Sequence, residues 1–211
     1  MILMHIEKDS EYNMKIGPDI VRDGLVLQLD AANTKSYSSG TTWSDLSGNG
    51  YDFTLDSSGI THNTNGYFTL LNGGASRNAP ITTGTVCTLV YWMRTTDGQA
   101  LFWATNGGSG SYLGAYRSGN KFYNSSTYGS PTFHTNTTQR SNIYDFVRTN
   151  EWMMMEFKNV NMSAAGNHHF NQYGGYTFGN NQIAMIKMYN KTLTTAESTQ
   201  NFNAYRKRFK I

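Results

Sequence analysis

Val86-Cys-Thr-Leu-Val-Tyr-Trp-Met-Arg94 is an apolar run rich in β-branched and aromatic residues, the composition of a strand in a packed sheet. Thr95-Thr-Asp-Gly98 follows it with turn residues, and Leu101-Phe-Trp103 resumes the apolar pattern, so the two runs are expected to form a hairpin. Tyr112-Leu-Gly-Ala-Tyr116 and Lys121-Phe-Tyr123, separated by Arg117-Ser-Gly-Asn120, give a second hairpin signal. Upstream, Leu25-Val-Leu-Gln-Leu29 and Tyr67-Phe-Thr-Leu-Leu71 read as strands. Downstream, Trp152-Met-Met-Met-Glu-Phe157 and Ile183-Ala-Met-Ile-Lys-Met-Tyr189 do so. In the last of these, alternation puts Ile183, Met185 and Lys187 on one face and Ala184, Ile186 and Met188 on the other.

Between the strands lie turn-rich segments such as Asp45-Leu-Ser-Gly-Asn-Gly50, whose glycines and asparagine suit positive φ angles. Residues 124–142 are polar and nearly free of aliphatics, and read as an extended loop. Residues 161–181 are polar, Gly/Asn-rich and aromatic. The end changes character. Thr194-Thr-Ala-Glu197 is a capping box opening a short helix, with Phe202, Tyr205 and Phe209 on one stripe and basic residues in its last turns. The expectation is an all-β, two-sheet antiparallel jelly-roll sandwich over residues 20–211, ending in a short helix and a basic tail, with residues 1–19 as an N-terminal arm.

Composition agrees. Of the 211 residues, 38% are hydrophobic and only 15% charged, while 14% are aromatic, so the chain is polar without the low aromatic content of a disordered one. The formal net charge is +3, and Arg206, Lys207, Arg208 and Lys210 account for four positive charges at the end, leaving −1 for the rest. The body therefore offers no basic face for nucleic acid. No signal peptide is evident after Met1-Ile-Leu-Met4, and no run reaches a membrane-spanning length, so a soluble protein made in a reducing cytoplasm is expected. The single cysteine, Cys87, sits in the apolar run and reads as a buried inert thiol.

Gly24-Leu-Val-Leu-Gln-Leu-Asp-Ala-Ala-Asn33 followed by Gly40-Thr-Thr-Trp-Ser-Asp-Leu-Ser-Gly-Asn-Gly50 resembles the opening of laminin-G-like domains of the concanavalin A-like lectin/glucanase superfamily. Thr88-Leu-Val-Tyr-Trp-Met-Arg94 resembles that family's central strand, Asn150-Glu-Trp152 its late tryptophan-bearing strand, and residues 183–197 its closing strand and helix start. Gly17-Pro-Asp-Ile-Val-Arg-Asp-Gly24 and Gln200–Ile211 resemble structural proteins of tailed bacteriophages, marine and cyanobacterial ones above all. The resemblance implies a jelly roll that binds glycans or proteins from a virion, synthesised in a host cytoplasm, with other virion proteins as partners; the edge strands of such a sandwich also invite self-association. The family's usual late strand pair is not legible in residues 159–180, which are His-, Asn- and Gly-rich.

Several constellations carry possible chemistry. Glucanases of this superfamily use carboxylates on one strand face; here the closest pair, Glu151 and Glu156, is five residues apart and points to opposite faces of a regular strand, so a glycoside hydrolase is the weakest of three function classes. His168-His169 reads as a solvated loop rather than a metal site. Asp30, Asn33, Asp45 and Asn49 could offer hard oxygens to calcium, but the same residues are ordinary turn formers and that reading is preferred; no cofactor is implied. Trp103 with Asn106, and Tyr116 with Tyr123, are candidates for a carbohydrate platform, whereas Trp43, Trp92 and Trp152 are assigned to the core. Arg206, Lys207, Arg208 and Lys210 are candidates for assembly contacts with an acidic neighbouring subunit. The leading expectation is a non-enzymatic virion protein, a head decoration or a tail, baseplate or fibre component. A glycan-binding module for host attachment is the alternative.

Overall fold

A computed structural model describes residues 19–211 apart from 78, 82, 97–98, 106–111, 117–120, 164–165, 174–175 and 178–179; the expected arm up to residue 18, the second half of the Thr95–Gly98 turn and the whole Arg117–Asn120 turn lie outside the described residues. The strands are β1 (Leu25–Asp30), β2 (Thr42–Trp43), β3 (Phe53–Leu55), β4 (Ile60–Asn63), β5 (Tyr67–Leu70), β6 (Ala75–Arg77), β7 (Cys87–Thr95), β8 (Gln99–Thr105), β9 (Tyr112–Tyr116) and β10 (Lys121–Asn124). They continue with β11 (Thr132–Thr135), β12 (Thr138–Arg140), β13 (Met153–Val160), β14 (His168–Phe170), β15 (Gln172–Tyr173), β16 (Tyr176–Thr177) and β17 (Asn181–Tyr189). Two helices are described, α1 (Ile143–Phe146) and α2 (Thr195–Tyr205).

The strands form the expected two-sheet antiparallel sandwich. The larger sheet runs β12-β11-β13-β7-β17-β5-β4, with β1 added to β17; the smaller runs β10-β9-β8-β14-β6-β3-β2. β17 holds two partners end to end on one edge: Asn181–Ile183 pair with β5, and Met185–Tyr189 with β1. β7 is central, flanked by β13 and β17, and its residues are buried on both faces, which explains its near-continuous apolar run.

The inner core joins Leu27, Leu29, Leu89, Tyr91, Met153, Met155, Phe157, Ile186 and Met188 of the large sheet to Trp43, Phe53, Phe102, Trp103 and Phe170 of the small one. Its rings meet edge to face, as Trp43 and Phe68 do at 4.8 Å, and each buried ring contributes ~2–3 kcal/mol. Cys87 is fully buried, and desolvation raises its thiol pKa. A second apolar layer lies on the outer face of the large sheet. There Val90, Trp92, Met154, Met185 and Tyr189 are covered by α2 and the chain end. The capping box is present, with Thr194 and Glu197 bonded reciprocally, and Phe202 and Phe209 stack on Trp92 at 5.9 and 4.5 Å while Tyr205 meets it edge-on. The helix stops at Tyr205, so the basic residues follow it in a turn rather than lying in its last turn.

Four expectations about strands and loops require correction. β7 and β8 are not a hairpin: they belong to opposite sheets, and the Tyr91 hydroxyl donates across the sandwich to the Phe102 carbonyl at 2.6 Å. Residues 124–142 are not an extended loop. They supply the β11–β12 hairpin and a buried ring, Tyr128, so aromatic residues take the place of absent aliphatics. The facing of β17 is broken by a bulge between Ile183 and Met185, which sends Ile183 inward with Ile186 and Met188 and turns Met185, Lys187 and Tyr189 outward. Finally, His168 is no solvated loop residue; it is 1% exposed on β14, in the middle of the small sheet.

Candidate functional site

The anticipated carbohydrate platform is not where its central residue lies. A bulge between Leu101 and Trp103 turns both Phe102 and Trp103 into the inner core, and Trp103 is fully buried. Its indole N–H points at Nδ1 of His168 at 3.2 Å, not at solvent. Tyr116 and Tyr123 lie on the β9–β10 hairpin, but their side chains, like Asn106, are outside the described residues.

The turn carboxylates are committed to backbone. Asp45 accepts from the Gln28 and Ser47 amides through Oδ1 and from the Tyr51 amide through Oδ2. Asn33 accepts from the Lys35 amide, Asp30 from the Ala32 amide, and Asn49 donates to the Val26 carbonyl. These are the Asx-type bonds that fix turns. Among the described residues no group of three or more His, Cys, Asp or Glu side chains could hold a metal.

Glu151 and Glu156 do not converge. Glu151 is exposed and ion-paired with Arg148 at 2.9 Å. Glu156 is fully buried on the outer face of the large sheet, and neither carboxylate oxygen has a hydrogen-bond partner; Ser198 stands nearby, short of bonding geometry. Desolvation raises its pKa, against the attraction of Lys158. Two cations share that face. Lys158 donates to the Leu193 carbonyl at 3.0 Å, while Lys187 reaches the Tyr205 hydroxyl at 3.3 Å and lies over its ring at 4.3 Å. Burial lowers the Lys187 pKa to about 7.

Among the described residues, a cleft of about 390 Å³ opens at one end of this face, lined by Asn65, Tyr67, Trp152, Arg208, Phe209 and Lys210. Three elements build it. The turn between β4 and β5 brings Asn65 and the start of β5 brings Tyr67, the residue preceding β13 brings Trp152, and the turn after α2 brings the last three. Tyr67 meets Trp152 edge-on at 5.3 Å, and Trp152 packs on Phe209 at 4.8 Å. Trp152 was expected in the core; it is half-buried, because its position just ahead of β13 leaves one side of the ring open to the cleft.

The chain end is clamped beside this cleft. Arg208 donates to the Asp30 carboxylate at 2.9 Å and to the Gly66 carbonyl at 2.5 Å. Gly66 has φ +80°, and a Cβ there would lie 2.4 Å from that of Ala32, so only glycine fits the turn. Arg208 is thus an internal strut rather than a free contact, whereas Arg206, Lys207 and Lys210 are exposed. The turn ends in a Schellman-type pair of bonds, Ile211 N–H to the Arg206 carbonyl and Lys210 N–H to that of Lys207, with Lys210 left-handed at φ 56°. Sequence periodicity identified the stripe but not the cleft, since Tyr67, Trp152 and the tail are far apart along the chain.

No protein-family model matches the sequence, and no curated protein sequence does. Solved structures match the fold. Trypanosoma rangeli sialidase bound to the inhibitor DANA is similar with a TM-score of 0.56 at 15% identity, over 89% of this chain and 35% of that one. The receptor binding domain of botulinum neurotoxin C/D mosaic serotype is similar with a TM-score of 0.52 at 12% identity, over 86% of this chain and 51% of that one. The chain thus spans about a third of the sialidase and half of the toxin domain, and at these identities the likeness is one of fold: a two-sheet antiparallel β-sandwich.

Proposed function

We propose that this chain is a non-catalytic β-sandwich of the concanavalin A-like kind that works by presenting a recognition surface, and that its ligand is a glycan. The observation that carries this reading is the half-exposed aromatic cleft. Tyr67 and Trp152 offer ring faces to a sugar, and the Tyr67 hydroxyl and Trp152 indole N–H have no hydrogen-bond partner among the described residues. Against catalysis stand the positions of Glu151, exposed and paired, and Glu156, sealed beneath α2.

The setting we propose is the particle of a tailed bacteriophage, as the resemblance of residues 17–24 and 200–211 implies. There Arg206 and Lys207 would contact an acidic neighbouring subunit, and many copies would turn weak sugar contacts into avid attachment. A glycan array probed with the full chain is expected to give a restricted set of positive sugars, and uniform silence removes the glycan reading. Mass spectrometry of dissociated particles is expected to find the chain as a stoichiometric component; its absence removes the virion setting alone. Polysaccharide cleavage that disappears in Glu156→Gln would replace recognition with hydrolysis.

A further inference from the structure

We infer that the cleft between Tyr67, Trp152 and Phe209 selects carboxylate-bearing saccharides, with Lys210 as the residue that reads the charge. The inference rests on the glycan-binding reading and names the class of sugar. Of the six residues lining the cleft, two are cationic and none is acidic. Arg208 is already engaged by Asp30 and by the Gly66 carbonyl. Lys210 lines the cleft, is exposed, and makes no ion pair among the described residues. A sugar ring placed on Trp152 would meet the Tyr67 hydroxyl, the indole N–H and the Asn65 amide as neutral hydrogen-bonding groups, and a carboxylate on that ring would complete the set with Lys210.

The backbone supplies an independent reason to look at Lys210. Its left-handed φ of 56° closes the Schellman-type turn, a position at which glycine is favoured and a side chain carries a cost. A lysine at that position pairs a conformational penalty with an unpartnered charge facing an aromatic cleft. Such strain marks places where a side chain serves something other than the stability of the fold.

The test compares one sugar in charged and uncharged form. Trigalacturonate and its fully methyl-esterified counterpart are titrated into the full chain, with tryptophan fluorescence and calorimetry as readouts, beside the array. The expected result is binding of the acid at least ~5-fold tighter than of the ester. Lys210→Gly should erase that preference by lowering acid affinity to the level of the ester, and should raise stability toward urea; Lys210→Arg should keep the preference. Trp152→Ala should abolish binding of both, and circular dichroism will show whether it remains folded; Tyr67→Phe, which keeps the ring, should weaken both. Equal affinity for acid and ester overturns the carboxylate assignment, as does a preference that survives Lys210→Gly. Array-positive sugars whose binding is unchanged in Lys210→Gly and in a folded Trp152→Ala place the site elsewhere. Competition by hexaglutamate as strong as by trigalacturonate makes the cleft an acidic-peptide site. An array silent for neutral and acidic glycans alike overturns the glycan reading itself.

Discussion

At the scale of single residues, His168 shows how a polar side chain is used inside a sheet. The Ile81 N–H faces Nε2 at 3.0 Å and the Trp103 indole N–H faces Nδ1 at 3.2 Å. A neutral imidazole can accept at only one nitrogen and an imidazolium at neither, so protonation would leave both donors facing N–H groups. Desolvation is the larger cause, Arg77 and His169 add repulsion, and together they lower the His168 pKa to about 4. Because the folded value lies below the unfolded one of about 6.5, this histidine's contribution is complete above pH 6.5 and is lost as pH falls toward 4. An NMR titration is expected to put the His168 ring midpoint near 4, with a loss of up to about 3 kcal/mol attributable to it over that window. A midpoint at 6.5 would mean the ring is solvated. Nothing in the pair His168-His169 announced this burial, since neighbouring residues are too polar to read as a strand. Only the register with β6 and β8 reveals it.

At the scale of elements, the clamp between the chain end and β1 holds the outer layer in place. Arg208 and Asp30 are both largely buried, at 23% and 11% side-chain exposure, and the pair fixes Phe209 on Trp92 and Trp152. Arg208→Gln should destabilise the fold by about 2 kcal/mol, because it removes the ion pair of a largely buried carboxylate and leaves Asp30 only the Ala32 amide and the attraction of Lys187. It should also red-shift tryptophan emission as Phe209 lifts from Trp152, and hydrogen exchange is expected to speed up over residues 206–211. Unchanged exchange there would show that ring stacking alone retains the tail. Helix α2 was readable because its signals are local, a capping box and the i, i+3 pair Phe202 and Tyr205; Phe209, expected on the same stripe, lies beyond the helix in the turn that follows. The β11–β12 hairpin was not. Its two-residue turn, Asn136-Thr137, takes positive φ at both positions, 48° and 73°, with threonine where such turns favour glycine. The β7–β8 error has the same root: sequence adjacency predicts pairing, and only the inter-sheet packing of Tyr91 on Phe102 shows that the chain crosses the sandwich. The two bulges shift side-chain facing without any residue type that marks them.

At the scale of the whole molecule, the central strands of the large sheet, β7, β13 and β17, are buried on both sides, and their second side is not an ordinary core. Register aligns Lys187, Val90 and Glu156 across β17, β7 and β13, so a buried amine and a buried carboxyl sit two strands apart beneath α2. No salt bridge joins them among the described residues, and each moves toward its neutral form, Lys187 to about 7 and Glu156 upward, desolvation leading in both. The groups acting on Lys187 include Asp30, which holds its pKa up, and Arg22, which pushes it down, with Tyr205 over the amine. For a lysine whose folded pKa is depressed, the unfolded chain binds the extra proton between about 7 and 10.5, so stability rises with pH across that window and is lost as pH falls toward 7. The opposite sign holds for Glu156, whose raised folded pKa makes the unfolded chain release its proton first, so its contribution falls as pH climbs above 4.5. Lys187→Met should therefore be more stable than the parent at pH 7 by on the order of 2 kcal/mol, and the difference should shrink as pH rises toward 10.5, where burying the neutral amine no longer requires removing a proton that the unfolded chain would hold. Glu156→Gln should gain over the parent as pH rises from 4.5 to 7.5. Urea unfolding at five pH values between 4.5 and 10 measures both trends. A Lys187→Met variant that is less stable than the parent at every pH would show that the ammonium over the Tyr205 ring is a net attraction, and that α2 is held down by charge as well as by its aromatic stripe.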